Sequence, residues 1–237
     1  MLKSRNTVLF YLGAVAPRRG RHEVHNIGRL HMAIGALLAC AIGAVFLGST
    51  VPANAGPLAG QGKCGAGENL TPTEAEAKGL PSRQALASSV VCLINAERTS
   101  RGLPALRVNG RLVARAAGHG IAAVRLKWWE KGADSHVNPE TGSTIESRLK
   151  DPKGKKLCDG KDPNWFSEIT YTASGSGATP IGAVNWWMNI STGGHKEAIL
   201  DPQIQYFGLG TRPDVADRNL PQSSKMGTYV FDFISCP

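Results

Sequence analysis

The sequence predicts an α+β domain over roughly the last two thirds of its 237 residues, and three observations point there. Apolar positions at helical spacing come first, between Ser82 and about Trp128. Period-two runs come late, at Tyr206 to Thr211 and at Tyr229-Val230-Phe231-Asp232-Phe233. Helices before strands, without regular alternation, argue against a parallel βαβ sheet.

The chain before this domain reads as an export signal. Ala33 to Val51 is apolar and free of charge, and the residues ahead of it carry Lys3, Arg5, Arg18, Arg19, Arg21 and Arg29 against the single acid Glu23. Ala53-Asn54-Ala55 supplies the small-x-small pattern that signal peptidase needs, which places cleavage after Ala55 and makes residues 1–55 a signal peptide. A retained membrane anchor is the alternative, since about 20 apolar residues can span a bilayer. The run's many small residues and the Ala-x-Ala favour cleavage. Leu37-Leu38-Ala39-Cys40 has the look of a lipoprotein box, but the apolar run continues well past Cys40. Residues 1–31 are long and unpatterned for a signal's basic region, which fits a start codon assigned too far upstream.

Residues 56–81 are rich in Gly, Pro, Ala and Thr, offer little to bury, and read as a flexible arm before a domain over 82–237. Pro81-Ser82 suits the cap of a first helix, with Leu86, Val90, Leu93, Ile94 and Glu97 on one face. Gly102 and Pro104 stop it. Asn109 caps a second helix running to about Trp128, with Leu112, Ala116, Ala123 and Leu126 among its buried positions. Residues 133–147 are turn-rich, and 150–163 form a Lys/Gly/Asp/Pro loop around Cys158. Trp165 to Thr172 suits a short strand. Thr179-Pro180 opens a third helix to about Asn189, and the two late strands close the chain.

Charge and cysteine count restrict the function. The whole chain carries +9, but residues 1–55 hold six basic side chains and one acid, leaving 21 against 17 and a net of +4. That mild surplus gives no support for nucleic-acid binding. Of five cysteines, Cys40 leaves with the signal, and Cys64, Cys92, Cys158 and Cys236 remain. An even number in an exported chain favours two disulfides in one of three pairings. Joining Cys64 to Cys92 and Cys158 to Cys236 ties each loose segment to its nearest neighbour in chain order. No Cys-x-x-Cys is present, so a redox or zinc-ribbon role is unsupported.

Three histidines follow the signal: His119, His136 and His195. His136 and His195 sit beside loop-forming residues, where scaffolds display functional side chains. His119 lies between Gly118 and Gly120 in the second helix, and packing or a hydrogen bond explains it. No Gly-x-Ser-x-Gly element marks a nucleophile.

Taken together, five segments resemble the CAP superfamily of cysteine-rich secretory proteins, antigen 5 and pathogenesis-related proteins, in its bacterial form. LINAERTSRGLPALRVNGRLVARAA (93–117) is similar to the family's first two helices. SHVNPETGSTIESRL (135–149) is similar to the segment with the first cleft histidine, here His136. FSEITY (166–171) resembles the Gly-Glu-Asn element and puts its glutamate at Glu168. WWMNISTGGHKEAILDP (186–202) resembles the element with the second histidine, here His195, and FGLGT and YVFDF resemble the last strands. The resemblance covers about Ser89 to Phe233. It departs at Ser167-Glu168-Ile169, and at Asn189 or Ile190, where animal members carry a second acid.

The resemblance implies a three-layer α-β-α sandwich around a mostly antiparallel sheet. It implies a secreted or cell-envelope protein that binds a lipid, a sterol or a protein partner. His136, Glu168 and His195 then form a reduced cleft. Two imidazoles and a carboxylate suit a divalent metal, zinc or magnesium, or general acid–base work. A metal-assisted hydrolase acting on peptide or envelope substrates is the alternative, and a non-catalytic structural envelope module is a third reading.

Overall fold

The structure is a computed structural model and describes residues 56–150 and 156–237. The predicted signal peptide, its predicted cleavage site and Lys153 and Lys155 of the basic loop lie outside the described residues. The elements run α1 (Pro72–Lys78), α2 (Leu80–Thr99), β1 (Arg107–Val108), α3 (Gly110–Leu126), α4 (Ile145–Leu149), β2 (Trp165–Ser174), α5 (Pro180–Asn185), α6 (His195–Leu200), β3 (Tyr206–Arg212) and β4 (Met226–Ser235). Their sheet has the order β1-β3-β4-β2, with β1 parallel to β3 and the other two pairings antiparallel.

Every residue of β4 is buried, so both faces of this central strand must be covered. Successive side chains point to opposite faces. Tyr229, Phe231 and Phe233 pack with Leu86, Val90, Leu93 and Ile94 of α2 and with Val184 and Trp187. From the opposite face Val230 meets Ala116 and Ala123 of α3, and Ile234 meets Leu112 and Leu149. The result is the expected α-β-α sandwich of an α+β chain. Helix α3 lies unusually close to β3. A Cβ at Gly208 would stand 2.2 Å from the Leu112 carbonyl carbon, and one at Gly210 2.7 Å from that of Ala116.

Residues 56–81 are not a loose arm. Leu58 and Ala75 are buried in the same core as α2, and Thr71 and Glu74 form a capping box on α1. Few apolar side chains suffice because buried acids satisfy the backbone: Ala59 N–H donates to Glu97 at 2.6 Å and Gly62 N–H to Glu68 at 2.8 Å. A disulfide joins Cys64 to Cys92 on α2, and a second joins Cys158 to Cys236. Helix α2 starts at Leu80 after Gly79, whose φ is +90°, so Ser82 lies inside the helix and Pro81 in its first turn.

Asn109 caps α3 as its position suggests, accepting from Arg111 and Leu112 N–H. Thr179 caps α5 by accepting from Gly182 N–H. Beyond Asn185 the helix widens into a π turn over Trp186–Ile190. Such turns are frequent at functional sites. This one sets the direction in which the chain leaves toward His195.

Candidate functional site

The β2–β4 register sets Glu168 directly opposite Asp232, on the face that α3 covers. Glu168 is buried and its carboxylate is heavily bonded. Arg148 Nη2 donates to Oε1 at 2.8 Å and to Oε2 at 2.7 Å, and His136 Nδ1–H donates to Oε1 at 2.9 Å. His119 Nε2 lies 3.7 Å from Oε1. It gives its hydrogen to the Ser135 carbonyl at 2.8 Å instead.

Local sequence explains why His136 and Arg148 reach this point. His136 N–H donates to Asp134 Oδ1 at 2.8 Å, and Ser135 Oγ bonds Thr170 Oγ1 of β2 at 2.8 Å, which pins the turn to the sheet. Asn138 Oδ1 accepts from Glu140 N–H, closing a second turn. Thr144 and Ser147 cap α4 reciprocally, and Arg148 Nη1 donates back to the His136 and Ser143 carbonyls at 3.0 and 3.2 Å. Arg148 thus joins the histidine loop to the glutamate strand.

His195 opens α6 after Gly194, whose φ is +80°. Its Nδ1 lies 2.6 Å from Ser191 Oγ, which also accepts from Gly193 N–H at 3.2 Å. The Trp186 ring stands 5.1 Å from the His195 ring and 5.5 Å from Tyr171. His195 is half-buried.

Burial and neighbours separate the ionisable groups. Burial alone would raise Glu168, but the His136 hydrogen bond, His119 and Arg148 overcome it and hold Glu168 at about 2. Burial raises Asp232 well above the usual carboxylate range, with the Glu168 charge adding to it. Burial also lowers His119. His195 is lowered to about 4, first by burial and then by His136, so it is neutral near pH 7. A depressed folded value means that protonation favours the unfolded chain. The stability that His195 contributes is therefore expected to be lost as pH drops from about 6.5, the unfolded histidine value, toward its folded value of about 4, while the raised Asp232 acts in the opposite sense. Glu168 adds a further loss at still lower pH. In thermal melts across pH, His195→Asn should flatten the first part of this decline. An unchanged profile would contradict it.

The expected ligand trio does not assemble. Among the described residues no three His, Cys, Asp or Glu side chains are grouped to hold a metal. The physical reason is Arg148, whose guanidinium supplies the positive charge at Glu168 and whose Nη2 lies within hydrogen-bond reach of both its oxygens. Glu168 is placed here as an orienting carboxylate. Its bond to His136 favours a hydrogen on Nδ1, the arrangement carboxylates impose behind metal-bound histidines. For His195 to present Nε2 in the same form, its Nδ1–H would donate to Ser191 Oγ, which is able to accept.

His119 makes the hydrogen bond that its place in the second helix suggests, whereas two further contributing residues, Arg148 and Asp232, have no role assigned from sequence. Arg148 sat unremarked within the segment 135–149. Asp232 had a signal, an acid at an inward position of a period-two apolar strand, Tyr229 to Phe233.

No family model matches the chain and no curated protein matches it. Solved structures do. One is a Bacillus anthracis extracellular protein containing an SCP domain, at 20% identity and TM-score 0.41, covering 66% of this chain and 45% of that one. A Borrelia burgdorferi outer surface protein is similar at 20% identity and TM-score 0.43, covering 62% and 90%. A Staphylococcus aureus cysteine-rich secretory protein is similar at 16% identity and TM-score 0.39, covering 63% and 38%. The chain thus spans less than half the length of the Bacillus and Staphylococcus proteins.

Proposed function

We propose that this chain is an exported CAP-type (SCP-like) domain of the cell surface or surroundings that works by binding, with a cleft bordered by His136, Trp186 and His195. The observation that carries the reading is the engagement of Glu168. With Arg148 on both oxygens and His136 on one, this carboxylate is not a free general base. What the cleft offers is a neutral imidazole at His195, the Trp186 ring beside it and the Nε2 of His136. Such a surface suits a lipid, a sterol or a protein segment, and its two imidazoles suit weak zinc binding. Two disulfides support an oxidising compartment. For a metal-assisted hydrolase, Glu168 is not free to act as the base.

Calorimetric titration of the purified protein with zinc tests the cleft. The native chain should bind weakly, and His136→Ala and His195→Ala should each abolish the heat while remaining folded by circular dichroism. Binding retained in both variants, or absent from the native chain, would overturn the assignment. At saturating zinc no peptide substrate should turn over. Turnover lost on His195→Ala would contradict a binding role.

A further inference from the structure

An ionised carboxylate taken out of water without a partner is so costly that the group gives up its charge instead. Asp232 meets that condition. It is fully buried, and neither oxygen accepts a hydrogen bond from any donor. Its cross-strand neighbours are Glu168 on β2 and Gly208 on β3. The absent side chain at Gly208 lets the α3 backbone close over this part of the sheet, so water has little room. The charged and titratable groups around the pair are Arg148 from α4, His136 from the loop before it and His119 from α3. Arg148 and His136 give their hydrogens to Glu168, and His119 gives its own to Ser135. None of these groups donates to Asp232, and the Nε–H of Arg148, also buried, has no partner either.

Two facing carboxylates have no hydrogen between them and repel, and one added proton turns the repulsion into a hydrogen bond. We propose that Asp232 is a positioning residue, a buried neutral carboxylic acid whose proton bridges to Glu168 and holds that carboxylate toward Arg148 and His136. The ionised member is Glu168, because the guanidinium and the imidazole N–H both favour its charge. The upward displacement of Asp232 and the downward one of Glu168 agree with this division. Asp232 acts through two links. It orients Glu168, and Glu168 keeps the His136 hydrogen on Nδ1 and the lone pair on Nε2 facing the cleft. The consequence for binding rests on the reading of His136 as a cleft imidazole; the proton assignment does not.

Infrared spectroscopy near pH 7 tests it on the whole protein. The native chain should show the carbonyl stretch of a neutral carboxylic acid, and Asp232→Asn should lose it. Nitrogen-15 spectra of the imidazoles should show His136 with its hydrogen on Nδ1 in both proteins, since an asparagine amide still donates to Glu168. Asp232→Leu, if it folds, should lose that tautomer preference. A native chain without the band, a band that survives Asp232→Asn, or an Asp232→Asn protein with His136 protonated on Nε2 would overturn the assignment. None of these readouts involves a metal. A protein that fails to bind zinc therefore leaves this inference standing, and the reverse also holds.

Discussion

Replacing Arg148 by methionine should destabilise the protein by about 3–5 kcal/mol, the range for leaving one member of a buried ion pair alone. Arg148 side-chain exposure is 10% and that of Glu168 is 0%, so water cannot take over the role of the lost guanidinium. The same change also releases the His136 and Ser143 carbonyls from Nη1. Arg148→Lys should recover only part of the loss, because one ammonium cannot hold Glu168 as Nη2 does and the His136 and Ser143 carbonyls as Nη1 does at the same time. Combining Arg148→Met with Glu168→Gln should destabilise less than the two single changes added together, since the second removes the charge stranded by the first. Urea denaturation of the four proteins checks this. Strict additivity would mean that the pair is not coupled.

The second large effect concerns the disulfides. Cys158–Cys236 closes a separation of 78 residues and Cys64–Cys92 one of 28. Loop entropy then gives about 4.5 kcal/mol for the first and about 3.6 kcal/mol for the second. Removing Cys158–Cys236 by paired serine substitution should therefore be the more damaging change. It should also loosen the C-terminal end of β4, which Cys236 follows directly. Removing Cys64–Cys92 should free the segment around the short 3-10 turn Ala66–Asn69 from α2 and leave the sheet intact. Denaturation midpoints and proteolysis at residues 56–70 separate the two. Equal loss with cleavage nowhere in that segment would contradict the assignment of each bridge to its own element.

Much of this architecture is legible in the sequence because period and caps are local signals. Leu86, Val90, Leu93 and Ile94 announce α2, Asn109 caps α3, and the alternation at Tyr229–Phe233 announces β4, whose odd and even members face different helices. The arm at 56–81 was misread because its order comes from long-range contacts. Glu97 lies 38 residues from the Ala59 N–H it holds, and composition carries no trace of that bond. Elements α4, α6 and β1 span six residues or fewer, too short for periodicity to register. In the site, loop chemistry pointed to His136 and His195, and the family resemblance pointed to Glu168. What Glu168 does there was hidden, because it depends on Arg148 and on a cross-strand partner 64 residues away.

Thermal unfolding with a metal chelator, and then with excess zinc, probes the cleft most directly. Chelation should leave the melting temperature unchanged, because Arg148 and not a metal supplies the positive charge at Glu168. Zinc at a hundredfold excess over its dissociation constant should stabilise the protein by about 2.7 kcal/mol, and His195→Ala should remove that gain. Unfolding under chelation, or zinc stabilisation that survives His195→Ala, would contradict a binding cleft made of two imidazoles behind an Arg148-neutralised carboxylate.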